Sequence, residues 1–245
     1  MPETSSPGSG RHRPVYLLAD SRLLFKVGGE RPSLLDRMRK DLPATATEPL
    51  RAAYLGAANG DEPAFYEIFA AAMDLLGIAE RRFLRTRPAP GDLDFLAAAD
   101  LILLAGGEVG RGWRAFEASG TSPLIAERYH QGALLVGVSA GAVQLGRGLL
   151  EQGADRLFET AGLLPFLVDA HAEPDWQALK KALHLVPDYL GGLGIPFGGA
   201  AIVHPDMTVE PVEKPVIELF RRGDLVQEAL LMPPIGTDAD SFAAQ

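Results

Sequence analysis

Short apolar runs alternate with helix-like segments along the first half of the chain, and this alternation limits the possible folds. Each run has the length of a strand that is buried on both faces. The clearest runs are 15–19, 52–55, 101–104 and 133–138. Strands separated by helices predict an α/β fold with a doubly wound, mostly parallel sheet and helices on both faces.

The segments between these runs carry helix boundaries where the alternation requires them. Ser33 followed by Asp36 predicts a capping box at the start of the first helix. A second helix is predicted over 63–76, with Pro63 in its first turn and Gly77 as its C-terminal cap. A weaker strand and three further helices complete the pattern at 82–84, 93–98, 113–118 and 123–130.

The pattern changes after Gly194, where short strands follow one another without helices between them. Direct succession predicts antiparallel strands at the edge of the sheet. These strands are expected at 200–203, 208–212, 216–220 and 225–231. We predict one α/β domain over 15–245, preceded by a disordered tail at 1–14 that is rich in Ser, Gly and Pro.

The composition excludes several classes of function. The chain has no cysteine, which excludes disulfides, thiolate metal sites and a cysteine nucleophile. A net charge of −9 opposes binding to nucleic acid. Because we find no signal peptide and no apolar run of about 18 residues, we expect a cytoplasmic protein with no membrane partner. Isolated histidines and the lack of a Walker-type or dinucleotide glycine pattern predict neither metal nor cofactor.

The segment LLVGVSAGAVQLG, residues 134–146, places the pattern G-x-S-x-G between a buried strand and a helix-compatible stretch. A strand-to-helix elbow exposes a serine hydroxyl on a strained turn, where a base can remove its proton. Ser139 is therefore a candidate nucleophile, and the amide of Ala140 is a candidate oxyanion donor. The alternative is a tight junction in which Ser139 only caps the helix.

Two further features follow other strand ends. Gly106 and Gly107 would let backbone amides approach a bound carbonyl, so Gly107 is a candidate second oxyanion donor; a turn with positive φ is the alternative. His171 follows the run FLVDA and could accept the proton of Ser139, although an isolated histidine is more often structural. His204 is the second candidate base.

Taken in order, the segments LLAGGE, GVSAGA and GLLPFLVDAH resemble the serine peptidase family of dipeptidase E (aspartyl dipeptidase) and cyanophycinase. The resemblance extends from residue 15 to about residue 203 and implies a fold like the class I glutamine amidotransferase domain. It implies a Ser-His-acid triad that cleaves peptides next to aspartyl or isoaspartyl residues. Ser139 would be the nucleophile, His171 the base, and Gly107 and Ala140 the oxyanion donors.

The acid of the implied triad is expected between the elbow and the histidine. We choose Asp155 because it follows the turn at Gly153 after the elbow helix. Three other carboxylates stay open, namely Glu151, Glu159 and Asp169. Beyond the glycine pair, Arg111, Trp113 and Arg114 could bind a substrate carboxylate or form the exposed face of a helix.

Two other functions stay open. A domain that kept the amidotransferase fold could be a binding module without activity, whereas glutamine amidotransfer itself would need a cysteine in the elbow. An esterase could use the same triad on another acyl group. The expected partner is a small peptide substrate, and the late edge strands could pair across a two-fold axis to form a homodimer.

Overall fold

The computed structural model describes residues 12–26, 32–43, 48–151, 155–171 and 175–234. The strands of the first half are β1 (Val15–Leu18), β2 (Arg51–Leu55), β3 (Glu80–Leu84), β4 (Leu101–Leu104) and β5 (Leu134–Val138). The intervening helices are α1 (Leu34–Asp41), α2 (Pro63–Leu76), α3 (Asp92–Ala97), α4 (Val109–Ser119) and α5 (Thr121–His130). The five strands are parallel in the spatial order β1-β5-β4-β2-β3, which confirms the predicted alternation.

The sheet has a hydrophobic core on each face. Successive residues of β1 point into different cores, with Val15 and Leu17 in one and Tyr16 and Leu18 in the other. Helices α1 and α2 cover the face of Tyr16, and α3, α4 and α5 cover the opposite face. The doubly wound architecture predicted from the sequence is confirmed, because a strand buried on both faces needs a helical layer on each side.

The second half of the chain contains two helices and eight strands among the described residues. The helices are α6 (Ala140–Leu145) and α7 (Gln177–Leu183). The strands are β6 (Gly148–Leu150), β7 (Leu157–Glu159), β8 (Phe166–Ala170), β9 (Gly191–Ile195), β10 (Ala200–Val203), β11 (Val209–Val212), β12 (Val216–Arg222) and β13 (Leu225–Leu231).

The C-terminal strands are divided between two sheets. Strand β10 pairs antiparallel with β1, and β11 pairs antiparallel with β10, so both extend the large sheet as predicted. Strands β12 and β13 are also antiparallel, but they belong to a second sheet with the order β13-β12-β9-β8. Strand β9 was not predicted, since its sequence GGLGI has few side chains that favour a strand. It forms through pairing with β8 and β12, which local sequence does not reveal.

Part of the predicted N-terminal tail contacts the sheet and its helices. Residues 1–11 lie outside the described residues. Further along, Arg13 Nε donates a hydrogen bond to the carbonyl of Gly132 at 2.6 Å, and the ring of His12 lies 4.9 Å from that of Tyr129. Where the chain is described, no helix is both long and apolar enough to cross a bilayer. The single domain, the homodimer and the cytoplasmic location stay predictions.

One partly buried ion cluster links α1 to the edge strand β11 of the large sheet. The carboxylate of Glu210 on β11 accepts a hydrogen bond from Arg37 of α1 and contacts His204 Nε2 at 3.1 Å. Burial raises the pKa of Glu210, but the hydrogen bonds from Arg37 and His204 and the charge of Arg37 outweigh it and hold the pKa below its ordinary value of 4.5. Because the pKa of Glu210 is lower in the folded state than in the unfolded state, ionised Glu210 stabilises the fold. This stabilisation is complete above the unfolded pKa and is lost as pH falls through the folded pKa.

We therefore expect Glu210→Gln to lower the free energy of unfolding by about 1 kcal/mol at about pH 7. The difference from the wild type should shrink at an acidic pH below the lowered folded pKa, since the wild-type carboxylate is then protonated. Urea unfolding followed by circular dichroism measures both values, with the exposed Glu117→Gln as a control that shows little difference at either pH. An equal loss at both pH values would contradict the pKa argument.

Candidate active site

Ser139 lies on the turn between the carboxyl end of β5 and the start of α6. Its backbone angles, φ 52° and ψ −111°, are a conformation that residues with side chains rarely adopt. The turn is held in place by β1, because the amide of Ser139 donates a hydrogen bond to the carbonyl of Leu18 at 2.8 Å. The strained elbow that G-x-S-x-G predicts is therefore present at Ser139.

Gly141 lies where the first turn of α6 packs against the end of β4. A Cβ atom at this position would lie 2.1 Å from the carbonyl oxygen of Leu104, which no side chain can tolerate. The glycine of the motif thus lets the elbow helix approach the neighbouring strand. This approach fixes where the hydroxyl of Ser139 emerges from the sheet.

His171 directly follows β8 of the second sheet, and its ring lies against Ser139. The distance between His171 Nε2 and Ser139 Oγ is 2.5 Å, a hydrogen-bond contact between a base and a hydroxyl. The amide of His171 donates to the carbonyl of Ile195 at 3.1 Å, and its ring lies 6.0 Å from the ring of Phe197. The structure thus places Ser139 and His171 in contact, as the sequence predicts. The two residues follow strands of different sheets.

The two candidate oxyanion donors belong to the loop after β4 and to the start of α6. Gly107 follows β4 with φ 138°, and a Cβ atom there would lie 2.1 Å from the carbonyl oxygen of Ala58, so only glycine fits. Ala140 is the first residue of α6, where an amide has no acceptor inside its own helix. Both positions suit a donor to a developing oxyanion, and their role stays a prediction.

A cavity of about 260 Å³ opens beside Ser139, His171 and Gly107. It lies where β1, β2, β4 and β5 end, the edge at which ligands bind in doubly wound sheets. Most of its wall is apolar and comes from these strand ends and from α2. The apolar side chains include Leu24, Tyr54, Phe65, Ile68, Phe69 and Val138.

Asp20 is a polar residue of this cavity that sequence reasoning missed. Its Oδ1 accepts hydrogen bonds from the amide and Nε of Arg22 at 3.0 and 3.1 Å. Its Oδ2 is buried and has no hydrogen-bond partner among the described residues. The available signal was its place directly after β1, where a parallel sheet presents side chains to a ligand.

Tyr54 and Asn59 form a second polar feature of the cavity wall. Asn59 Nδ2 donates a hydrogen bond to the hydroxyl of Tyr54 at 2.8 Å. Burial raises the pKa of Tyr54 to about 12, although the bond from Asn59 opposes this rise. The phenol is therefore uncharged at neutral pH, and this part of the wall carries no charge.

The carboxylates considered for the triad lie outside the described lining of this cavity. Glu151 forms ion pairs with Arg114 and Arg156, and the hydrogen bond from Arg156 holds the pKa of Glu151 below its ordinary value. Asp155 is exposed and lines a neighbouring open groove that shares Gly107 with the cavity.

The other two candidates lie on strands. Glu159 is exposed at the end of β7, and Asp169 lies on β8 opposite Gly194 of β9. The identity of the acid, with Asp155 as our choice, stays a prediction.

His204, the second candidate base, lies near the amino end of β1, whereas Ser139 lies near the carboxyl end of β1. It follows Val203, which pairs with Val15 at the start of β1, whereas Ser139 follows Val138, which pairs with the end of β1. Because β10 runs antiparallel to β1, its carboxyl end carries His204 away from the elbow. His204 therefore does not reach Ser139.

The two arginines considered for substrate binding are engaged elsewhere. Arg111 Nη2 donates to the carbonyl of Ala58 at 2.6 Å, and the guanidinium of Arg114 lies over the ring of Phe158. Neither belongs to the described lining of the cavity beside Ser139. Both arginines therefore fit the exposed-face alternative better than contact with a substrate in this cavity. Trp113 fits neither alternative, because it is buried in the hydrophobic core and does not line the cavity.

Comparison with known proteins agrees with this geometry. The model of peptidase family S51 matches residues 24–207. A peptidase from an acI-B1 actinobacterium has a similar structure, with 18% sequence identity, a TM-score of 0.68, and coverage of 91% of this chain and 96% of that chain. A putative peptidase E protein from Listeria monocytogenes EGD-e aligns with 17% identity, a TM-score of 0.57, and coverage of 82% and 98%. Among curated proteins, none matches significantly.

The family match covers most of the chain and includes the elbow, the glycine pair and His171. The two solved structures share the fold, and the resemblance seen in the sequence motifs is confirmed. The chain therefore belongs to peptidase family S51 and is a serine peptidase of the dipeptidase E and cyanophycinase family.

Proposed function

We propose that the protein hydrolyses short peptides through an acyl-enzyme formed on Ser139. The observation that carries this proposal is the 2.5 Å contact between His171 Nε2 and Ser139 Oγ on a strained elbow. A cavity of about 260 Å³ is slightly below the range of about 300–1,000 Å³ for small-molecule sites. Its size therefore favours a short peptide over a folded protein segment.

The arrangement supports acyl transfer in two steps. His171 accepts the proton of Ser139 as Oγ attacks the peptide carbonyl, and the negative oxygen is stabilised by the amides of Gly107 and Ala140. His171 then gives the proton to the leaving amine, and the C–N bond breaks. In the second step, His171 takes a proton from water, which attacks the ester; the acid product leaves and Ser139 regains its proton.

We expect a fluorophosphonate to label Ser139 alone, because only an activated serine reacts with it at a useful rate. Ser139→Ala should abolish the label, and His171→Ala should slow labelling by about a hundredfold or more. Mass spectrometry of the digested protein locates the label. His204→Ala serves as a matched control and should be labelled at the wild-type rate, since His204 lies at the opposite ends of the strands from Ser139.

Circular dichroism of each variant checks that it is folded. A folded wild-type protein that remains unlabelled by the small probe would contradict the proposal and favour a binding module. Labelling of a residue other than Ser139 would contradict the assignment of the nucleophile.

We propose Asp155 as the triad acid on the chain order that the family resemblance implies. Asp155→Asn should then lower kcat by at least about a hundredfold with little change in KM, since the acid orients His171 and stabilises its charged form. The matched variants Glu151→Gln, Glu159→Gln and Asp169→Asn should retain activity. Peptide hydrolysis measured for all four decides among them: retention by Asp155→Asn and loss in another variant would reassign the acid.

A further inference from the structure

We propose that the cavity beside Ser139 binds an apolar, uncharged side chain of the residue whose carbonyl is attacked, so that the enzyme prefers bonds after apolar residues to bonds after aspartate. This inference rests on the proposed function and names its substrate class. It differs from the aspartyl preference that the family resemblance implies.

The positions of the strands indicate which part of a substrate meets the apolar wall. His171, which protonates the leaving amine, lies beside Phe197, just before β10 and on the β1 side of Ser139. Strands β4 and β2 lie on the other side of β5. Gly107 follows β4, and Tyr54 lies on β2. The cavity wall from β2, β4 and α2 therefore faces the acyl half of the substrate, next to the oxyanion donors.

This wall offers apolar surface that a substrate side chain would remove from water. Tyr54 and Phe69 are buried members of the core on this face of the sheet. Phe65 of α2 is 48% exposed, and Ile68, one helical turn along, is partly buried. Burial of such surface by an apolar side chain stabilises the complex without any new polar contact.

The charges around the cavity oppose an acidic side chain. Its described lining includes the carboxylate of Asp20 and contains no lysine or arginine. The nearby guanidinium of Arg22 is engaged with Asp20 and lies 4.7 Å from the ring centroid of Phe197. An aspartyl side chain would therefore lose its hydration without gaining a cationic partner, which is unfavourable.

The first test compares two phosphonate esters that differ only in bearing a phenylalanine-like or an aspartate-like side chain. Each reacts with the serine while presenting its side chain to the acyl site. We expect Ser139 to react faster with the phenylalanine-like probe by at least about tenfold. Equal rates, or faster reaction with the aspartate-like probe, would overturn the inference.

A fluorophosphonate without an amino-acid side chain distinguishes the two possible failures. If it labels Ser139 while the phenylalanine-like probe shows no advantage, the peptidase proposal stands and the inference on the substrate class fails. If no probe labels the folded protein, both fail together.

The second test places a cation in the wall. Phe65→Arg and Ile68→Arg should each slow the phenylalanine-like probe and speed the aspartate-like one, narrowing the ratio of the two rates by about tenfold. Leu75→Arg is the matched control, because Leu75 lies on the same helix, is 55% exposed and is outside the described cavity lining. An unchanged ratio in both wall variants, or the same change in the control, would overturn the inference.

Discussion

The backbone of Gly141 lies against the carbonyl of Leu104, and the geometry of the active site depends on this contact. It brings α6 onto the end of β4, so that Ser139 and the glycine pair after β4 lie together at the carboxyl ends of the parallel strands. Gln144, three residues further along the same helix, contacts α4: its buried side-chain Nε2 donates to the carbonyl of Val109 at the start of α4, at 2.9 Å. The elbow is thus held by contacts with a strand and a helix, and its unfavourable backbone angles at Ser139 can persist.

The cavity is continuous with the hydrophobic core on one face of the sheet. Val138 and Phe69 line the cavity and also belong to this core. The sheet interior and the cavity therefore share side chains. Phe65 and Ile68 line the cavity but lie outside the buried core, so substitutions there would alter the cavity with less effect on the core than substitutions at Val138 or Phe69.

How much of the structure could be predicted from the sequence depended on how local each feature is. The capping box at Ser33 was predicted because its two residues lie three positions apart, and the structure shows both hydrogen bonds. The elbow at Ser139 was predictable because strand, turn and helix are continuous in the chain. The second sheet was not, because β9 forms only through pairing with β8 and β12, and the predicted strands β12 and β13 could not be assigned to a separate sheet without it.

The cavity also could not be predicted from the sequence, because its wall combines the ends of strands that are distant in the chain with residues of α2. Asp20 carries no motif and becomes a site residue only when β1 is placed beside β5. His204 is the opposite case. It was a candidate base because it is a histidine, but the antiparallel direction of β10 places it away from Ser139. The triad acid depends on geometry around His171 that spacing along the chain does not determine.

Ser139 and His171, the proposed nucleophile and base, follow strands of different sheets, so the proposed mechanism requires that those sheets stay docked. Proteins open in cooperative parts, and a part with fewer buried contacts opens at a lower free energy than the whole. Partial opening of the four-stranded sheet would withdraw His171 and leave Ser139 on a folded parallel sheet. Catalysis would then stop while the large sheet stays folded, so activity would depend on the docking of the two sheets and not on the stability of the large sheet alone.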